Sequence, residues 1–160
     1  MNKRRKIALG SVITCVILLV VSFVWFVSVI HHTDHERQQR SLQSDQAVVI
    51  MFYSYTCPDC KEVASVVNRS YWEGEFKDNY LNIGNGKEHS AVFVDYKNEK
   101  DQALFSQYHI ESTPTFIVVK NGEVQQLAVK NGVPVMKYSG KNPKQIKRLY
   151  TDLSIDPNLN

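Results

Sequence analysis

Seven consecutive apolar residues, Ala47 to Tyr53, run into Thr56-Cys57-Pro58-Asp59-Cys60-Lys61, and an amphipathic stretch, Glu62 to Asn68, follows. An apolar run of this kind marks a strand buried on both faces. Val63, Val66 and Val67 give the stretch after the cysteines one apolar stripe, as a packed helix requires. A strand, a tight loop, two cysteines two residues apart and a helix together form the layout of a thiol–disulfide centre.

The spacing has a physical reason. A helix that starts at Cys57–Pro58 puts the first cysteine at its N-terminus, where unpaired N–H groups and the positive dipole end favour a thiolate. The Cys57 pKa is expected to fall below the free value of about 8.5. Cys60, one turn further in, is expected to be more buried and less reactive. Pro58 suits the first helical turn, where a missing N–H costs nothing. Asp59 neighbours both sulfurs, and its negative charge is expected to disfavour thiolate and make the couple more reducing. The competing reading of a lone CxxC is an inert disulfide or half a zinc site. Zinc needs four ligands, and the chain has no second CxxC or matching Cys/His pair. No metal or other cofactor is expected.

Charge is distributed unevenly along the chain. Lys3-Arg4-Arg5-Lys6 is a basic cluster, and no charged residue occurs from Ile7 to Ile30. As a helix those residues would span about 36 Å, enough for a hydrocarbon core of about 30 Å. Residues 7–30 are therefore read as one transmembrane helix. A cleavable signal peptide, the competing reading, would have a shorter apolar region and a small-x-small site after it. Residues 1–6 are then a cytoplasmic tail and the remainder lies outside the cell, with Trp25 and Phe26 near the outer end of the span. Cys15 within the span reads as a small apolar residue. Residues 31–44 read as a polar stalk; His31, His32 and His35 could bind a metal there, but three histidines in a solvated stalk usually do nothing specific. The net charge is only +3, which leaves no nucleic-acid footprint.

Beyond the cysteines, residues 68–90 are hard to read, with a helix over Trp72–Asp78 and then a loop as the expectation. Ala91–Tyr96 reads as a second buried strand and Glu99–Tyr108 as a helix. Thr115–Val119 reads as a third strand. Asn121-Gly122 is a hairpin turn into Glu123–Val129, and Asn131-Gly132 a second one into Val133–Tyr138. Asn142-Pro143 supplies an N-cap and first-turn proline for a last helix with Ile146, Leu149 and Leu153 on its apolar face. Lys144, Lys147 and Arg148 make its other face basic, most simply as a solvated surface. Strand–helix–strand units imply parallel pairing and the hairpins add antiparallel strands. The expected fold class is α/β: a mixed sheet flanked by helices, preceded by the transmembrane helix.

Three segments carry a resemblance to the thioredoxin family: Tyr53–Lys61 (YSYTCPDCK), Tyr108–Val124 (YHIESTPTFIVVKNGEV) and Ser139-Gly140 before the last helix. The resemblance covers about Asp45 to Ile155, so 45–155 is taken as a thioredoxin-like domain and 156–160 as a tail. It implies that Cys57 is the nucleophile and Cys60 the resolving thiol. It also implies that Pro114 is a cis-proline facing the cysteines, with Thr113 exposing backbone to an extended substrate strand and a hydroxyl to Cys57. Departures from the family pattern are Met51 where a buried acid is usual, Thr56 where tryptophan is usual, and Ser65 where the helix has its kink proline. The region from Gly122 to Gly140 is also longer than usual. Together these resemble membrane-anchored thioredoxin-like proteins of Gram-positive bacteria.

The function expected is that of an extracytoplasmic, membrane-tethered thiol–disulfide oxidoreductase, leaning to reductase or isomerase. Its partners would be protein thiols and disulfides and a membrane electron donor or acceptor protein. A binding module on the same fold, with no essential redox turnover, is the alternative, since Met51 removes the usual acid.

Overall fold

The computed structural model describes residues 13–21, 33–79 and 90–159. Of the apolar stretch near the N-terminus, residues 13–21 form a helix, α1, with exposed side chains. No helix among the described residues is long and apolar enough to cross a membrane. The span expected over 7–30 lies otherwise outside the described residues, as do the basic cluster, Trp25, Phe26, His31 and His32.

Strand β1 (Val48–Tyr53) is the centre of the molecule, and all six of its residues are buried. It pairs in parallel with β2 (Ser90–Asp95) and antiparallel with β3 (Thr115–Lys120). The main sheet runs β2-β1-β3-β4, where β4 is Glu123–Val124, and β7 (Tyr138–Ser139) also pairs with β3. Two cores follow from the alternation of side chains along a strand. Val49, Met51 and Tyr53 face one side of the sheet, with Cys60, Val63, Val67, Ile146, Leu149 and Tyr150. Val48, Ile50 and Phe52 face the other, with Leu42, Leu104 and Phe105.

Helix α3 (Pro58–Asn79) and helix α5 (Pro143–Asp152) cover the first face. Helix α2 (His35–Leu42), a 3-10 turn (Glu99–Asp101) and helix α4 (Gln102–Gln107) cover the second. The short helix expected over Trp72–Asp78 is in fact the far end of α3, which runs unbroken for 22 residues. Nothing between Asn68 and Trp72 is a helix breaker, and Val67 and Ser70 continue the buried side of α3.

Residues 33–44, read above as a stalk, are packed onto the domain. Thr33 exchanges hydrogen bonds with Phe93, through its N–H at 3.1 Å and its Oγ1 at 2.9 Å. Gln38 is wholly buried and its Nε2 donates to Asp101 Oδ1 at 3.0 Å, while the other oxygen of Asp101 accepts from the Asp95 N–H. At the far end Leu42 and Ser44 accept from Gly122 and Asn121. The segment is polar because most of its side chains remain exposed, while Thr33, Gln38 and Leu42 alone are buried and dock it. The last residues are also tied down: Gln145 Nε2 donates to the carbonyls of Asp156 and Leu159, both at 2.6 Å.

Both Asn-Gly turns form. Asn121 and Gly122 have φ of 52° and 78°, Asn131 and Gly132 52° and 80°, the left-handed pair that a two-residue hairpin demands. The strand expected over Glu123–Val129 is broken, however. Leu127 turns into the core, with its N–H on Val135 and its carbonyl on Ile155. This divides the segment into β4 and a separate ribbon of β5 (Ala128–Lys130) and β6 (Val133–Val135). The strand expected over Val133–Tyr138 divides likewise, into β6 and β7.

Candidate active site

Site geometry begins where β1 ends. Cys57 is the N-cap residue of α3: its carbonyl accepts from Lys61 N–H at 3.3 Å and Pro58 is the first helical residue. Its sulfur takes the place of a capping oxygen, accepting from the Cys60 N–H at 3.4 Å. The loop before it is held by the Cys57 N–H on Ser54 O at 3.1 Å and by a Ser54–Thr56 hydroxyl pair at 3.0 Å.

The second wall comes from the other end of the chain order. The Thr113–Pro114 peptide is cis. The Thr113 carbonyl turns toward the cysteines and accepts from Cys57 Sγ at 3.3 Å. The loop is anchored by Thr115 Oγ1, which donates to the Ser112 carbonyl at 2.7 Å and pairs with Ser139 Oγ at 2.6 Å. Gly140 follows, and a Cβ there would lie 2.9 Å from Tyr138 Oη. That hydroxyl accepts from the Asn142 N–H at 2.9 Å, so a side chain at residue 140 would displace the ring or break the start of α5.

The two thiols are electrostatically unlike. Burial pushes the Cys57 thiol up, but hydrogen bonds from the Thr113 side chain, from Cys60 and from the Cys60 and Asp59 backbone outweigh it, and the pKa falls below the ordinary thiol value. Cys60 is 5% exposed, and burial pushes its thiol up to about 11. Both are free thiols in this structure. Met51 is fully buried in the same core as Cys60, so this face presents an apolar thioether where the family pattern has an acid.

The Asp59 carboxylate has a partner outside the cysteine loop. Lys141 Nζ donates to Asp59 Oδ1 at 3.1 Å and to Glu62 Oε2 at 2.8 Å. The lysine offsets the aspartate charge and draws the loop before α5 onto the first turn of α3. Lys141 directly follows Gly140, but a lysine in a loop carries no sequence signal for a partner 82 residues away.

The structure thus brings Cys57, Cys60, Pro58, Asp59, Thr113 and Pro114 to one end of the sheet. A depressed thiol at a helix N-terminus, a buried thiol one turn later and the carbonyl of a cis-proline loop against the first define a thiol–disulfide oxidoreductase. Comparison with known proteins gives the family. Residues 28–149 match the thioredoxin family, and the chain belongs to it. It is 31% identical over 118 residues to a thioredoxin-like protein of Fusarium culmorum, covering 73% of this chain and 84% of that one. It is 27% identical over 92 residues to a thioredoxin of Chlorobaculum thiosulfatiphilum, covering 58% and 73%. The crystal structure of thioredoxin from Trypanosoma brucei brucei superposes with a TM-score of 0.56 at 16% identity, over 79% of this chain and 92% of that one, which shows the shared fold.

Proposed function

We propose that this protein is a membrane-tethered, extracytoplasmic thiol–disulfide oxidoreductase that works as a reductase or isomerase on protein disulfides. The observation that carries the redox reading is the Cys57 sulfur at the α3 N-cap, hydrogen-bonded by the Cys60 N–H and pressed against Thr113. The tether rests on the uncharged run Ile7–Ile30 behind Lys3-Arg4-Arg5-Lys6.

The Cys57 thiolate attacks one sulfur of a substrate disulfide. That S–S bond breaks, a Cys57–substrate mixed disulfide forms, and the released substrate thiolate takes a proton from water. Thr113 offers its backbone to an extended substrate strand beside Pro114. Cys60 then loses its proton and attacks Cys57 Sγ. The second substrate thiol leaves, two electrons have passed to the substrate, and Cys57 and Cys60 are joined. The second step needs a proton to leave Cys60, whose thiol burial pushes up to about 11, and Met51 takes no proton from it. A long-lived mixed disulfide gives a substrate time to rearrange its own cysteines, which suits an isomerase. As a reductase, the protein needs electrons from a membrane partner, because one span carries none.

The test is the reduction potential of the full chain in detergent micelles, equilibrated in glutathione buffers. A value near about −270 mV supports the reductase, and one near about −120 mV makes the protein a disulfide donor and overturns the direction. Cysteines that fail to interconvert leave a binding module.

A further inference from the structure

Beside the cis-proline loop lies a cavity of about 260 Å3 that the exchange chemistry does not use. Its walls come from three places. Ser54 closes it at the end of β1, Tyr96 and Phe105 stand at the end of β2 and on α4, and the loop from Ile110 to Thr113 forms the rest. Thr113 is therefore a shared wall: its carbonyl lies 3.3 Å from Cys57 Sγ. Cavity and nucleophile therefore meet at one residue, Thr113.

The lining has a chemical character. Glu111 is its one ionisable carboxyl side chain, and no described residue forms an ion pair with it. Lys97 and His109, the basic residues nearest in sequence, do not line the cavity. The Tyr96 and Phe105 rings meet edge to face at 5.3 Å, and Tyr96 is half exposed at 53%. An aromatic face and an unpaired carboxylate around hydroxyl groups suit a cation on a flexible apolar stem. The volume falls below the roughly 300 Å3 at which small-molecule pockets begin, so it suits one side chain.

We propose that this cavity is a specificity pocket for an arginine or lysine side chain flanking the substrate cysteine, with Glu111 as its recognition residue. This rests on the exchange reading above. The substrate class is then a protein disulfide set in a basic segment, selected before the sulfurs react.

The experiment is single-turnover oxidation of the prereduced full chain in detergent micelles by disulfide-bridged synthetic peptides. Members of the set carry arginine, or its neutral isostere citrulline, at one of the positions within two residues of the cysteine. For at least one position, arginine is expected to react about five- to tenfold faster than citrulline at subsaturating peptide. Glu111→Gln removes the preference, Glu111→Asp keeps part of it, and Glu111→Lys reverses it, so that citrulline peptides react faster than arginine ones. The neutral disulfide of 2-mercaptoethanol is the control: each protein's peptide rates are divided by its own rate with that disulfide. Equal rates for arginine and citrulline at every position, or a preference that survives Glu111→Gln, overturn the pocket while the control reaction still proceeds. Failure of the control in the unaltered protein overturns the exchange reading itself.

Discussion

The two faces of β1 are made from alternate residues of one strand, yet they are built to different specifications. The α3/α5 face holds Val49, Met51 and Tyr53 around the Cys60 thiol, and the Cys60 side chain is held there by apolar packing. The α2/α4 face joins its apolar core to a buried polar network, in which Gln38 and Asp95 both donate to Asp101 and Thr33 pairs with Phe93. The difference teaches where this fold keeps its polar groups. Buried amides and acids dock the two ends of the chain, Gln38 and Asp101 the N-terminal segment and Gln145 the last residues, whereas Cys60 itself sits among apolar side chains, so burial disfavours loss of its proton.

Removing sulfur from the redox face is the most severe way to test this division. Cys57→Ala is expected to abolish turnover, and Cys60→Ala to accumulate the mixed disulfide with substrate, seen as a covalent adduct by mass spectrometry. Neither change should lower the thermal midpoint much. Alkylation of the unaltered dithiol separates the same two groups by pH. The Cys57 thiolate fraction rises as pH climbs through its depressed pKa, so iodoacetamide labels Cys57 below pH 9. Cys60 labelling is expected only as pH approaches about 11. Equal labelling of both cysteines near neutrality would sink the assignment of nucleophile and resolving thiol.

A subtler change gives the redox face what it lacks. Met51→Asp puts a carboxylate in the core that contains Cys60. If deprotonation of Cys60 limits resolution, collapse of a preformed mixed disulfide should quicken by about 100-fold, the lower range of general-base catalysis. The buried charge should also cost stability, with a lower denaturation midpoint. An unchanged collapse rate would mean that proton transfer from Cys60 is not limiting.

Changes on the opposite face should do the reverse, lowering stability without altering the chemistry. Leu42→Ala is expected to cost about 2–5 kcal/mol, since Leu42 is 6% exposed within the α2/α4 core. Gln38→Ala is expected to cost about 1–3 kcal/mol, because it strips a partner from the buried Asp101. Urea unfolding measures both, and the glutathione equilibrium should stay where it is in the unaltered protein. A shifted potential in either variant would show that the two faces are coupled through β1.

Much of this was legible in the chain itself. The runs at Ala47–Tyr53 and Ala91–Tyr96 announce strands because burial on both faces leaves no room for polar residues. The Asn-Gly pairs announce turns because few other dipeptides adopt the left-handed pair cheaply. The α2 segment stayed hidden because its docking is polar and long-range. Gln38 and Asp101 are 63 residues apart, and nothing local marks a glutamine as buried. The break after β4 was hidden for a similar reason: Leu127 leaves the strand for a core assembled from later residues. The Glu111 cavity needs Tyr96 and Phe105 brought to one loop, which only the β2–β1–β3 pairing achieves.

The smallest effects are expected at the rim, where Lys141 ties Asp59 and Glu62 across the end of the redox face. Asp59→Asn removes a negative charge near the Cys57 sulfur. That favours the thiolate, lowers the Cys57 pKa and makes the couple more oxidising. Lys141→Gln has the opposite sign, since it leaves Asp59 and Glu62 uncompensated, raises the Cys57 pKa and makes the couple more reducing. All three side chains are substantially exposed, 42% for Lys141, 52% for Asp59 and 63% for Glu62. Solvent screening should therefore hold each shift to less than about 20 mV. The informative measurement is the cycle. If the pair acts as a unit, Asp59→Asn in the Lys141→Gln background shifts the potential further than it does alone, because no lysine is left to offset the aspartate. Equal shifts in both backgrounds would mean that Lys141 positions the loop before α5 and leaves the sulfurs untuned.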